Sequence, residues 1–107
     1  MKCLNAILLG DFNADCDYVA NRRFNRHPLK RDVRFRWLID DRQDTTVTNS
    51  HCAYDRILVA GGAMKAAVVR RSSKVFKFDK SYKIPQSQAL KLTDHYPVEM
   101  KIRGDYK

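Results

Sequence analysis

Ala6-Ile7-Leu8-Leu9-Gly10-Asp11-Phe12-Asn13 is the stretch on which the reading of this sequence turns. Four consecutive apolar residues suit a strand buried on both faces, and Gly10 breaks it. A carboxylate and an amide, Asp11 and Asn13, thus emerge together where the sheet ends. Further along, Val33, Phe35, Trp37 and Ile39 alternate with Arg34, Arg36 and Leu38, the period of a strand with one polar edge. Ile57-Leu58-Val59-Ala60 is a second apolar strand, ended by Gly61-Gly62. Met64 to Val69 reads as a third. A basic connection, Arg70 to Lys74, leads to a short strand at Phe76 and Phe78, and Pro85 opens a helix over Gln86 to Leu92. Tyr96, Val98, Met100 and Ile102 alternate with Pro97, Glu99, Lys101 and Arg103 in a closing strand. Between these lie a basic loop over residues 21–32, holding Arg22, Arg23, Arg26, Lys30 and Arg31, and a polar Asp/Thr-rich loop over residues 40–52. The order is mostly strands with one or two helices, which predicts an α+β fold or a sandwich of sheets.

Length and composition bound the rest. At 107 residues, 44% hydrophobic and 31% charged, the chain has room for one small globular domain. No apolar run approaches the roughly 18 to 20 residues of a membrane span, so a membrane protein is excluded. Ala6 to Leu9 is also too short for a signal-peptide core, and Asp11 stops it. The net charge of +9 points to a polyanionic partner such as nucleic acid. Eleven of the twelve acidic residues are Asp. Any mechanism that needs a glutamate must use Glu99 or take one from outside this chain. Three cysteines (Cys3, Cys16, Cys52) leave one over from a single disulfide, and their spacing fits no common zinc pattern.

Two further segments carry chemistry. Thr93-Asp94-His95-Tyr96-Pro97 sets a carboxylate beside an imidazole where the closing strand begins. Cys52-Ala53-Tyr54-Asp55-Arg56 puts another carboxylate at the start of the Ile57 strand. These are suitable parts for metal-assisted phosphodiester hydrolysis. Carboxylates bind a hard cation such as magnesium, an amide holds a phosphate oxygen, and a histidine with a pKa near ~6.5 exchanges a proton with water.

Gly-Asp-Phe-Asn-Ala (10–14), Asp-Thr-Thr (44–46), Cys-Ala-Tyr-Asp-Arg (52–56) and Asp-His-Tyr-Pro-Val-Glu (94–99), in this order and at about this spacing, resemble the deoxyribonuclease I family of the endonuclease/exonuclease/phosphatase group. The resemblance runs from about Leu4 to Ile102. The basic balance resembles the gamma branch more than deoxyribonuclease I itself. The family resemblance implies the C-terminal part of a two-sheet, four-layer α/β sandwich: one partial domain over residues 1–107, with a basic loop and strand at 21–36 and a tail at 103–107. It implies a divalent-cation-dependent endonuclease of double-stranded DNA. Asp11 and Asn13 match residues that bind the metal and the scissile phosphate, and Asp94 matches a metal-side carboxylate, with Mg2+ the expected ion. Asp55 matches a carboxylate that orients a catalytic histidine carried by the N-terminal half, and His95 matches the second catalytic histidine. Tyr18 and Tyr54 match residues that touch the DNA backbone, with Ser50 in a loop nearby. Asp44, Thr46 and Thr48 match a structural Ca2+ loop. Cys16 and Cys52 match a structural disulfide, which implies a secreted or endoplasmic-reticulum protein. Cys3 has no assigned counterpart.

Each match has a plainer counterpart. Asp11 and Asn13 form an Asx turn in many strand exits, and a lone histidine is commonly a satisfied structural one. Asp55 and Arg56 could be a surface pair, and tyrosines at strand edges pack. Thr-rich loops form ordinary hydrogen-bonded turns, Cys16 and Cys52 could be reduced core thiols, and Arg22 to Arg36 and Arg70 to Lys83 could be solvated faces. Arg103-Gly104-Asp105 is read as a chance tripeptide. Two rival functions remain beside the nuclease: a non-catalytic basic module that binds nucleic acid on a nuclease-derived scaffold, and a phosphatase or lipid phosphodiesterase of the same wider group.

The resemblance covers roughly the C-terminal two-fifths of such an enzyme. Its two active-site glutamates, its other catalytic histidine and a groove-reading arginine belong to the N-terminal half, and Met1-Lys2-Cys3-Leu4 leaves no room for them. Glu99, roughly 13 Å past His95 along the closing strand, does not replace them. The chain by itself is therefore expected to be nearly inert. With one face of its sheet uncovered, it is expected to be marginally stable, self-associating, or dependent on a complementary N-terminal fragment.

Overall fold

The computed structural model describes residues 4–19 and 21–104, without the side chains of Asn21 and Arg22. Cys3 and most of the 103–107 tail therefore lie outside the described residues, as does the Arg22 side chain. The order is β1 (Ala6–Asp11), α1 (Asn21–Phe24), α2 (Pro28–Arg31), β2 (Phe35–Trp37), β3 (Asp55–Ala60), α3 (Gly62–Ala67), β4 (Lys74–Val75), α4 (Phe78–Ser81), α5 (Gln86–Ala89) and β5 (Val98–Glu99). The α+β expectation holds. One antiparallel sheet runs β1-β3-β2 and a second pairs β4 with β5. No described helix is long and apolar enough to cross a membrane.

The strand buried on both faces is β3, not β1. Ile57 to Ala60 are all buried because β3 is the central strand. β1 lies at the edge and stays half-buried, with Leu9 67% exposed. A continuous apolar run shows that a strand can be buried, but not which neighbour it obtains. The register sets Ala6 opposite Ala60 and, at the far end, Asp11 opposite Asp55.

Other elements differ from the sequence reading for local reasons. Met64 to Val69 is not a strand: Met64-Lys65-Ala66-Ala67 are strong helix formers and close α3. Gly61 starts it at φ +97°, and a Cβ there would collide with Leu4 O and Asn5. Asn5 Oδ1 in turn accepts the Met64 amide at 3.1 Å, so the chain before β1 caps the helix after β3. The Phe76/Phe78 strand sits earlier, at Lys74–Val75, and Phe78 opens α4. The helix after Pro85 is a single turn, and the closing strand shortens to Val98–Glu99 with isolated bridges at His95 and Ile102. The basic loop folds into α1 and α2. Pro28 begins α2, and His27 Nδ1 accepts the Leu29 amide.

On one face of the sheet, Phe24 and Trp37 meet edge to face, and Phe12 packs on Trp37. Arg56, fully buried, lies 5.7 Å from the Phe24 ring and 5.4 Å from Trp37. Its Nη2 donates to Asp41 Oδ1 at 2.8 Å, while Lys30 Nζ holds the other oxygen at 2.8 Å. Among the described residues, Arg56 Nε and Trp37 Nε1 have no hydrogen-bond partner. The second core, under β4–β5, gathers Val47, Ala89 and Tyr96 with Val75 and Phe78. The whole is a slab of 48 × 38 × 18 Å with a radius of gyration of 15.4 Å, against about 13 Å for a compact domain of this size. Replacing Asp41 by Ala strands the buried guanidinium and is expected to cost about 3 kcal/mol. Urea unfolding should show a lower midpoint at an unchanged slope.

Candidate active site

Three loops meet at the β1–β3 end of the sheet, and local chemistry fixes each. After β1, Asp11 Oδ1 accepts the Asn13 amide at 2.9 Å in an Asx turn, and Asn13 takes a left-handed φ of 48°. The turn and the functional reading coexist, because the second oxygen, Oδ2, points elsewhere: it lies 3.6 Å from His95 Nε2. Cys16 and Cys52 form a disulfide with Cα atoms 5.9 Å apart. Closing that loop is worth about 4 kcal/mol in the chain-entropy model. Buried Asp15 runs parallel to it and accepts the Ala53 amide at 2.8 Å. The exit of β1 is thus pinned twice to the start of β3.

The 44–50 loop is built on hydroxyls. Asp44 Oδ1 accepts from Thr46 N and Cys52 N at 3.1 and 3.2 Å. Thr48 Oγ1 donates to Thr46 Oγ1 at 3.2 Å, which in turn reaches Ser50 O at 2.8 Å. The loop then pairs with the His95 segment: Tyr96 N donates to Thr45 O at 2.8 Å and Val47 N to Asp94 O at 2.9 Å. On the far side, Tyr96 Oη donates to buried Asp79 at 2.7 Å. Burial first, and that hydrogen bond next, push its pKa up to about 12.

At the meeting point His95 Nδ1 lies 2.8 Å from Asp55 Oδ2. This corrects the role given to Asp55: the histidine it orients is His95 of this chain, not one carried elsewhere. The sequence places the two residues 40 apart, and only the register of β3 against β1 and the 45–96 clamp brings them together. With Nδ1–H donating to Asp55, Nε2 faces Asp11 Oδ2 and Asp94 Oδ1, each at 3.6 Å. The hydrogen bond to Asp55 raises the His95 pKa above its ordinary value, with Asp55, Asp11 and Asp94 charges adding and burial opposing. A cavity of about 210 Å³ opens here, lined by Asn13, Tyr18, Thr46, Thr48, Ser50, Tyr54, Asp94 and His95. The Tyr18 and Tyr54 rings meet edge to face 5.5 Å apart. Burial chiefly, with neighbouring charge, raises the Tyr54 pKa, so its hydroxyl stays a donor at neutral pH.

Of the candidates from the sequence, Asn13, Tyr18, Thr46, Thr48, Ser50, Tyr54, Asp94 and His95 line this cavity. Asp44 lines a second one of about 250 Å³ with Thr46 and Thr48, and Asp11 and Asp55 reach the site through His95. Glu99 lies apart, since it ion-pairs with Lys74 at 3.8 Å in the other sheet. The sequence reading passed over Asp15, Thr45 and Asp79. Thr45 lay inside the noted Asp-Thr-Thr segment, but its neighbours alone drew attention. Asp11, Asp55 and His95 each offer a ligand atom within 4.8 Å of one another. Asp55 Oδ2 is taken up by the His95 ring, however, which leaves the Asp11 and Asp94 carboxylates beside Nε2 as the oxygens suited to a divalent cation. The Asp44, Thr46 and Thr48 oxygens lie 3.1 to 3.2 Å apart and are hydrogen-bonded within their own loop.

A carboxylate-backed imidazole facing two further carboxylates at strand ends defines an acid–base centre of the kind hydrolases use. The chain belongs to the endonuclease/exonuclease/phosphatase family, which it matches over residues 2–95. Within it, the chain is 47% identical to deoxyribonuclease gamma of Homo sapiens over 104 residues, 96% of this chain and 34% of that protein. It is 44% identical to deoxyribonuclease-1 of Bos taurus over 98 residues, 92% of this chain and 35% of that protein. For deoxyribonuclease-1 of Mus musculus the figures are 46% over 97 residues, 91% and 34%. The resemblance to deoxyribonuclease I enzymes thus stands, and the chain spans about a third of the length of the curated relatives it matches.

A raised His95 pKa contributes stability that is fully present below the unfolded value of about 6.5 and fades as pH rises through the folded one. Asp55→Asn should lower the His95 midpoint, read by NMR titration of the ring, and remove that part of the pH dependence. An unmoved midpoint would contradict the pairing.

Proposed function

We propose that this chain carries the C-terminal part of the active site of a divalent-cation-dependent endodeoxyribonuclease that hydrolyses phosphodiester bonds of double-stranded DNA. The observation that carries the reading is the Asp55–His95 pair, with Nε2 turned toward Asp11 and Asp94. In this mechanism Asp55 fixes the tautomer and orientation of the ring, and Nε2 takes a proton from water or returns one to the leaving oxygen. The raised pKa favours the ring's protonated form and suits the second task. The Asn13 amide holds a non-bridging phosphate oxygen, and the Tyr18 and Tyr54 hydroxyls, with Ser50, contact the DNA backbone. Asp11 and Asp94 would hold Mg2+, which supplies charge neutralisation at the phosphate. Asp44, Thr46 and Thr48 would hold Ca2+.

The thin slab and the exposed Leu9 on the strand leading to Asp11 support the further reading that this is one part of a two-sheet, four-layer sandwich. An N-terminal half would cover the sheet and bring the second histidine and the glutamates. Residues 1–107 are then one partial domain, and a complementary fragment or self-association covers the open face. The gamma branch is favoured by the net charge of +9, and a secreted or endoplasmic-reticulum location by the Cys16–Cys52 bridge.

The test is nicking of supercoiled plasmid in magnesium and calcium. The chain alone is expected to nick weakly, and addition of the N-terminal portion of a deoxyribonuclease gamma to restore cleavage. Asp11→Ala or His95→Ala should then reduce it by about a hundredfold or more. Restored nicking that survives both substitutions would favour the non-catalytic basic module. Efficient nicking by the chain alone, lost on His95→Ala, would overturn its inertness.

A further inference from the structure

We propose that Thr45 is the positioning residue of this site, its hydroxyl and its carbonyl together setting the separation of Asp55 from His95. Thr45 is fully buried and has no route to substrate. A hydroxyl offers one donor and two acceptor positions, and all are taken. Oγ1 donates to Cys52 O at 3.3 Å and accepts the amides of Tyr54 at 3.0 Å and Asp55 at 3.2 Å. Two successive backbone donors at the start of β3 thus converge on one oxygen. The backbone of the same residue completes the clamp: its amide donates to Cys52 O at 2.8 Å, and its carbonyl accepts from Tyr96 N at 2.8 Å. One residue therefore grips Asp55 by its own amide and His95 through the amide of its neighbour. The adjoining Thr46 bridges His95 directly. Without the hydroxyl, the Tyr54 and Asp55 amides lose a shared acceptor in a place where burial makes an unmatched donor costly. The start of β3 is then free to shift relative to the 94–96 segment.

This inference rests on the reading of Asp55–His95 as the working pair. Its test reads the geometry of that pair and not cleavage, so either can fail without the other. The His95 Nδ1 proton, held by Asp55 at 2.8 Å, is expected to give a downfield resonance in metal-free, mildly acidic buffer. Thr45→Val, which keeps the shape and removes the hydroxyl, is expected to abolish it, as Asp55→Asn does, whereas Thr45→Ser is expected to keep it. A folded Thr45→Val chain with the resonance unchanged would overturn the proposal, and so would its loss in folded Thr45→Ser. In the unmodified chain the Tyr54 and Asp55 amides are expected to exchange with deuterium at least about tenfold more slowly than an unstructured chain. Free exchange at either amide would overturn the proposal whether or not the variants fold.

Discussion

Asp55 Oδ2 and His95 Nδ1 meet at 2.8 Å across 40 residues of chain, and the rest of the site is arranged around that contact. Holding two distant loops together costs conformational entropy, and the structure offsets it with several short links around one point. The disulfide and the Asp15–Ala53 hydrogen bond tie the end of β1 to the start of β3. Thr45 ties β3 to the His95 segment, and Asp79 anchors that segment from behind through Tyr96. These bonds lie in buried or half-buried surroundings, where leaving one unmade costs more than making it gains. Such a network favours one arrangement of the side chains over a family of similar ones.

The strongly basic composition takes on more detail in the structure. Part of it is internal: Arg56 and Lys30 share Asp41, and Arg56 lies against Phe24 and Trp37 as a buried structural cation. Arg34 and Arg42 are matched by Asp32 and Asp40 on the surface, pairs of little energetic weight in water. Arg23, Arg26, Arg31 and Arg36 remain exposed, as do Arg70, Arg71, Lys80 and Lys83; under the proposed function these are the charges that would attract DNA phosphates.

Much of the chemistry was legible in the sequence because it is local. Asp11 and Asn13 after an apolar run, Asp55 before one, and the Asp94-His95 pair are all read from neighbours within a few positions. What the sequence did not show is which of these residues pair with one another. Asp55 was assigned to a histidine beyond the chain because nothing local records that β3 lies against β1 in a register that opposes Asp11 and Asp55. The misplacement of the doubly buried strand has the same origin, since Ala6 to Leu9 and Ile57 to Ala60 are equally apolar and sheet order alone separates them. Thr45, Asp15 and Asp79 escaped notice because a polar residue in a polar loop is usually solvated. Only the fold shows that these three are buried.

The central claim is that Asp11, Asn13, Asp55, Asp94 and His95 form a single site. Paramagnetic relaxation by Mn2+, a hard divalent ion close to magnesium in ligand preference, tests it most directly. Titrated into the isotopically labelled chain, Mn2+ should first broaden the resonances of these five residues together, before those around Asp32, Asp40 or Glu99. Early broadening spread evenly over the acidic surface, or centred away from His95, would contradict the account.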